Sequence, residues 1–132
     1  MTEPTQRPAV LLLEDESQLT AALCASLCDE YDIETATSAE EALLLLGSRR
    51  FDLLLCDQML PGKRQGLDFL AEALRHQPHA RRVLVTGYLN PELLARGSAM
   101  VQLSACLVKP VDIDLLRKTL RDALAKPAPG QS

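Results

Sequence analysis

The 132-residue chain has room for one domain and little for a second. Its hydrophobic share of 47% and charged share of 24% allow a buried core in a chain that stays soluble. Aromatic residues make up only 3%, with no Trp, and the net charge is −4, which argues against a stacking or phosphate-tracking nucleic-acid surface.

The basic pairs Arg49-Arg50, Lys63-Arg64 and Arg81-Arg82 are scattered and predict ordinary solvated surface. No apolar run approaches the ~20 residues of a membrane span, and MTEPTQRP lacks the apolar centre of a secretory signal. A cytoplasmic protein is expected. Cys24 and Cys28 share a helix face, but no second ligand pair has metal spacing. Reduced, buried core thiols are expected of these two and of Cys56 and Cys106.

Along the chain, AVLLL (9–13) predicts a buried strand that ends in Glu14-Asp15-Glu16. Ser17 is placed to cap a helix carrying Leu19, Leu23 and Leu27. Asp32 to Ala36 makes a weaker strand, and Ser38 to Glu41 a capping box for a helix that Gly47 stops. DLLLC (52–56) runs into Asp57, and a helix from about Gly66 to His76 follows, ended by Pro78. His76 and His79 are expected at the surface. VLVT (83–86) is the fourth strand, Asn90-Pro91 opens a helix that Gly97 breaks, and ACLV (105–108) is the fifth strand. Asp112 caps the last helix, with Leu116, Leu120, Ala123 and Leu124 in one stripe.

Strand and helix thus alternate five times, with strands apolar throughout. That is the pattern of a five-stranded parallel sheet covered by helices on both faces. Such α/β sheets place their sites at the carboxyl ends of the strands. The strong strands end in Glu14-Asp15, Asp57, Thr86 and Lys109, so three carboxylates, a hydroxyl and an ammonium converge on one edge. Carboxylates gathered this closely repel unless a cation intervenes. A hard divalent ion such as Mg²⁺ suits them and keeps waters for an incoming phosphate. The remaining groups suit a phosphoryl group on Asp57, with Lys109 pairing one oxygen and the Thr86 hydroxyl another. Taken singly, each residue has a bland reading as helix cap, turn former, strand residue or loop. Their common edge is the signal.

The motifs VLLLEDE, DLLLCDQMLPG, VLVTGY and LVKP, in this order, resemble the receiver domain of two-component response regulators over about residues 8–125. The resemblance implies a (βα)5 flavodoxin-like fold, with 1–7 as a lead and 126–132 as a tail or the start of a linker. It implies that Asp57 accepts a phosphoryl group from a histidine kinase or phosphotransfer protein. Glu14, Asp15, Asp57 and the Met59 carbonyl would hold Mg²⁺ (or Mn²⁺), and Lys109-Pro110 would be cis. Such a domain is a switch, not an enzyme: it catalyses only its own phosphorylation and slow dephosphorylation. It would signal to an output domain or protein through the face around 91–125, as a monomer or weak dimer.

Three departures stand out. The loop LPGKRQGL holds one residue more than the usual LPG-x-x-G-L, Cys106 occupies the usual aromatic position, and Gly87 replaces the commoner Ala. The competing reading is an atypical receiver acting as a phosphorylation-independent binding module. An aspartate-nucleophile phosphatase is disfavoured, because the position of its second Asp is Met59.

Overall fold

The structure, a computed structural model, describes residues 6–88 and 90–127. Most of the expected lead and tail therefore lies outside the described residues. Five strands, β1 (Ala9–Leu13), β2 (Asp32–Ala36), β3 (Leu53–Asp57), β4 (Arg81–Thr86) and β5 (Ala105–Val108), form one parallel sheet in the order β2-β1-β3-β4-β5. The helices are α1 (Ser17–Leu27), α2 (Ala39–Leu46), α3 (Gly66–His76), α4 (Pro91–Arg96) and α5 (Ile113–Ala125). None is long and apolar enough to cross a membrane among the described residues.

The strand pleat divides the core in two. Leu11, Leu13, Leu54, Cys56 and Leu84 face the layer of α2, α3 and α4, where Ala42, Phe69, Leu70 and Leu93 pack. Val10, Leu12, Leu53, Leu55, Val83 and Val85 face α1 and α5, against Leu23, Leu27, Leu116 and Leu120. Burial on both faces explains why the central strands carry no polar alternation. Each fully buried leucine contributes roughly 1.5–3 kcal/mol. The edge strands are less enclosed: β2 is mostly half-buried or exposed, and β5 buries only Leu107.

Several caps are as expected. Ser38 Oγ accepts the Glu41 N–H, Asn90 Oδ1 that of Leu93 and Asp112 Oδ1 that of Leu115. The return leg of the first capping box lands one residue early, since Glu41 accepts from the Thr37 N–H at 2.7 Å. Ser17 is not a cap. It is the first residue of α1, the N-cap is Glu16, and Glu16 makes no side-chain capping bond. The Glu16 N–H is instead taken by the Glu14 carboxylate at 3.1 Å, which anchors the helix start to the end of β1.

Gly97 ends α4, as expected, but the chain does not leave the helical path there. The chain continues from α4 as a π-helical segment, Gly97–Val101, and stops at Gln102 in the left-handed region. A Cβ on Gly97 would lie 2.5 Å from Leu103 Cδ1, so the glycine serves close packing as well as marking the end of α4.

Two expectations about polar side chains also fail. Arg82 is not surface: it is 0% exposed, and its guanidinium donates to the carbonyls of Ala80, Pro78, Val101 and Gln102. Arg81 is half-buried and reaches the carbonyls of Leu124 and Lys126 at the end of α5. His79 is half-buried, with a buried Nε2, and only His76 is exposed. All four cysteines are free, but only Cys56 is fully buried, Cys24 and Cys106 are half-buried and Cys28 is exposed.

Candidate functional site

The parallel register brings the carboxyl ends of β1, β3, β4 and β5 to one edge, on either side of the β1/β3 switch in strand order. Glu14 and Asp57 are buried there, at 3% and 4% exposure, while Asp15 is exposed. One oxygen from each of the three carboxylates lies within 4.8 Å of the others. Lys109 follows β5, and its N–H donates to the Thr86 carbonyl at 2.8 Å, continuing the ladder. Its ammonium bridges Glu14 Oε1 at 3.2 Å and Asp57 Oδ2 at 3.1 Å. The peptide bond Lys109–Pro110 is cis, as expected.

The electrostatics follow from this crowding. Burial pushes the Glu14 carboxyl up, and the neighbouring Asp57 charge adds to it. The Glu16 N–H and the Lys109 ammonium pull the other way without cancelling the rise. For Lys109, burial opposes the charge, but its hydrogen bonds and attraction to Asp57 and Glu14 win and hold it above the usual lysine value. Cys56, fully buried beside Asp57, has its thiol pushed well up by that burial. It is inert core, as its place on β3 implies.

Two further groups stand on the same edge in different postures. The Met59 N–H faces Asp57 Oδ1 at 3.4 Å, and the Met59 side chain is 68% exposed. The Thr86 hydroxyl is turned to the backbone of Tyr88, donating to its carbonyl at 3.0 Å and accepting its N–H at 3.2 Å. Tyr88 itself is 74% exposed, and Cys106 is half-buried.

The loop leaving Asp57 is more tightly tied than its sequence discloses. Gln58 takes the Gly66 N–H on its backbone carbonyl at 2.9 Å and the Leu67 N–H on its side-chain oxygen at 2.9 Å. Gln65 Oε1 accepts the Leu60 N–H at 3.0 Å, and Asp68 accepts the Gln65 N–H. Gly66 is required by closeness, since a Cβ there would stand 2.4 Å from the Asp57 carbonyl oxygen. The extra loop residue was visible in the sequence, but nothing in it pointed to Gln58 or Gln65.

As a donor set, the three carboxylates suit a hard divalent cation with oxygen ligands, while the Lys109 ammonium offsets part of their charge. The fold is a doubly wound parallel sheet with an acidic site at its switch point. Residues 10–121 match the response regulator receiver domain family. The hydrogenase transcriptional regulatory protein HoxA of Cupriavidus necator is 32% identical over 119 residues, covering 90% of this chain and 24% of that protein. The alginate biosynthesis transcriptional regulatory protein AlgB of Pseudomonas aeruginosa is 35% identical, covering 88% and 26%. The chain thus spans about a quarter of the length of these regulators. Among solved structures, the signal receiver domain of an HD domain-containing protein from Pseudomonas fluorescens Pf-5 superposes with a TM-score of 0.85 at 31% identity, covering 91% of this chain and 96% of that one. A CheY-like receiver from Methanospirillum hungatei JF-1 gives 0.85 at 25% identity, covering 91% and 95%. The chain belongs to the response regulator receiver domain family.

Proposed function

We propose that this domain is a phosphorylation switch with Asp57 as the acceptor. The observation that carries the reading is the Lys109 ammonium bridging Glu14 and Asp57, with Asp15 at the mouth of the same cluster. Glu14, Asp15, Asp57 and the Met59 carbonyl would hold Mg²⁺, which supplies charge neutralisation at the phosphoryl oxygens.

The chain's own groups do the rest. Asp57 attacks the phosphorus of a phosphohistidine on a kinase or phosphotransfer protein. An O–P bond forms, the P–N bond breaks, and the imidazole nitrogen keeps the electron pair and takes up a proton. Lys109 keeps one contact with the acceptor and pairs with a phosphoryl oxygen as a point charge. The Thr86 hydroxyl must leave the Tyr88 backbone to bond another oxygen, which links occupancy of the site to the segment after β4. The exposed apolar residues Leu94, Met100, Val108 and Leu115 lie within the 91–125 stretch and support it as the exit face for the signal. The similar regulators are longer proteins, and we place this chain as the input domain of such a regulator, in the cytoplasm, where its free thiols stay reduced.

Beryllofluoride with Mg²⁺ tests the reading, followed by amide NMR shifts. Saturable changes at Asp57, Thr86 and Cys106, lost in Asp57→Asn, are expected. No saturable change, or the same change in Asp57→Asn, would leave the phosphorylation-independent binding module as the better account.

A further inference from the structure

We infer that Gln65 is a positioning residue for the metal site, acting through the peptide that joins Met59 to Leu60. This rests on the functional reading above, in which the Met59 carbonyl is a metal ligand.

The Met59 carbonyl and the Leu60 N–H belong to one planar trans unit and point in opposite directions. Whatever holds the Leu60 N–H therefore sets the direction of the Met59 carbonyl. That holder is Gln65 Oε1, at 3.0 Å.

The neighbouring peptides are fixed as well. The Gln58 N–H donates to the Val85 carbonyl at 2.8 Å, the Gln58 carbonyl accepts from Gly66, and its side chain accepts from Leu67. The Leu60 side chain is buried in the core. Met59 is thus flanked by two anchored residues, and the rotation of its own carbonyl is the one backbone freedom that Gln65 removes. Gln65 is in turn steadied by Asp68, which accepts its N–H at 2.9 Å from the first turn of α3.

The longer loop gains a physical role in this arrangement. Pro61, Gly62 and Lys63 are exposed, with Gly62 at φ 90°. The turn they make carries the chain out and back far enough for the Gln65 side chain to reach the loop's opening peptide. A side-chain oxygen then closes the base of the loop beside Asp57. Groups that orient metal ligands from behind typically change metal affinity by about 10–100-fold when removed.

The test compares Gln65→Met, which keeps the length but loses the acceptor, with Gln65→Glu, which keeps it. Mg²⁺ titration by amide NMR shifts reads affinity, hydrogen exchange at Leu60 reads the clasp, and thermal unfolding confirms that each variant folds. Gln65→Met is expected to exchange faster at Leu60 and to bind Mg²⁺ about tenfold more weakly. Gln65→Glu should stay within about threefold of the parent, well inside that loss. Faster exchange at Leu60 with unchanged Mg²⁺ affinity would show a merely structural brace and overturn the inference alone. A parent chain that does not bind Mg²⁺ at Asp57 would overturn the functional reading, and this inference with it.

Discussion

Lys109 Nζ stands 3.1 Å from Asp57 Oδ2 and 3.2 Å from Glu14 Oε1, so one ammonium serves two buried carboxylates that repel each other. The cluster is short of positive charge. Glu14 registers the shortage, with a carboxyl raised chiefly by burial and then by Asp57. A carboxyl raised in the folded state costs stability once ionised: that cost is absent below the unfolded carboxylate value and present in full above the folded one. Glu14→Gln should therefore raise the urea midpoint at pH 7 in the absence of metal and change little at pH 4. Mg²⁺ should stabilise the parent more than the variant, because a ligand that binds the folded state adds stability that grows with the logarithm of its affinity. Urea unfolding with and without Mg²⁺ at both pH values checks this, and a variant less stable at pH 7 without metal would contradict it.

A second prediction concerns Arg82. Its guanidinium is fully buried, its hydrogen-bond partners are the carbonyls already named, and burial lowers its pKa. Two of those carbonyls, of Val101 and Gln102, close the end of the π-helical segment, where a helix leaves its last carbonyls without intrahelical partners. Arg82→Met leaves the Val101 carbonyl buried without this partner, at about 1–3 kcal/mol for a group left unsatisfied. Denaturant unfolding should show a loss of that order, and hydrogen exchange should quicken around 97–104 before the sheet is affected. Arg82→Lys should not rescue, since one ammonium cannot reproduce the guanidinium fork.

Arg82 also shows where sequence reading stops. The strand ends were legible because apolar runs and polar punctuation are local, and parallel pairing then forces Glu14, Asp57, Thr86 and Lys109 onto one edge. Arg81-Arg82 has the look of any charged pair after a turn, and its burial depends on carbonyls about twenty residues further on. Gly97 marked the end of α4, but the π-helical turn beyond it was hidden, as was the approach of Leu103 that its small size admits. Ser17 lost the capping position because α1 starts one residue earlier than expected, with Glu16 as N-cap and its N–H held by the Glu14 carboxylate. The length of LPGKRQGL was countable, but the return of Gln65 to Leu60 is a property of the folded loop.

The cysteines give a third prediction. Cys28 is exposed, whereas Cys56 is fully buried with its thiol pushed well up, so little of it is thiolate at neutral pH. With excess maleimide at pH 7.5, Cys28 should label first and Cys56 last. The label on Cys56 should appear at the rate of global unfolding. Peptide mapping of a time course reads the order directly. Early modification of Cys56 would mean that the β3 end opens locally and that the packing around Asp57 is looser than described.

The final prediction is the lifetime of the phosphoryl group. Met59 and Tyr88 lie two residues beyond Asp57 and Thr86, both are exposed, and neither carries a base that can take a proton from an attacking water. The Met59 thioether cannot orient water through strong hydrogen bonds, and the Tyr88 side chain brings neither a carboxylate nor an imidazole. Slow self-dephosphorylation is the expected consequence. Replacing Met59 by Asn leaves the backbone carbonyl in place while adding a hydrogen-bonding amide, and Tyr88→Ala clears space beside it. The double variant should lose its phosphoryl group roughly tenfold faster in Mg²⁺, less than the 10²–10⁴ that a true general base contributes. Intact-mass measurement after removal of the donor follows the decay. A parent half-life no longer than that of the double variant would show that these two side chains do not limit water's approach.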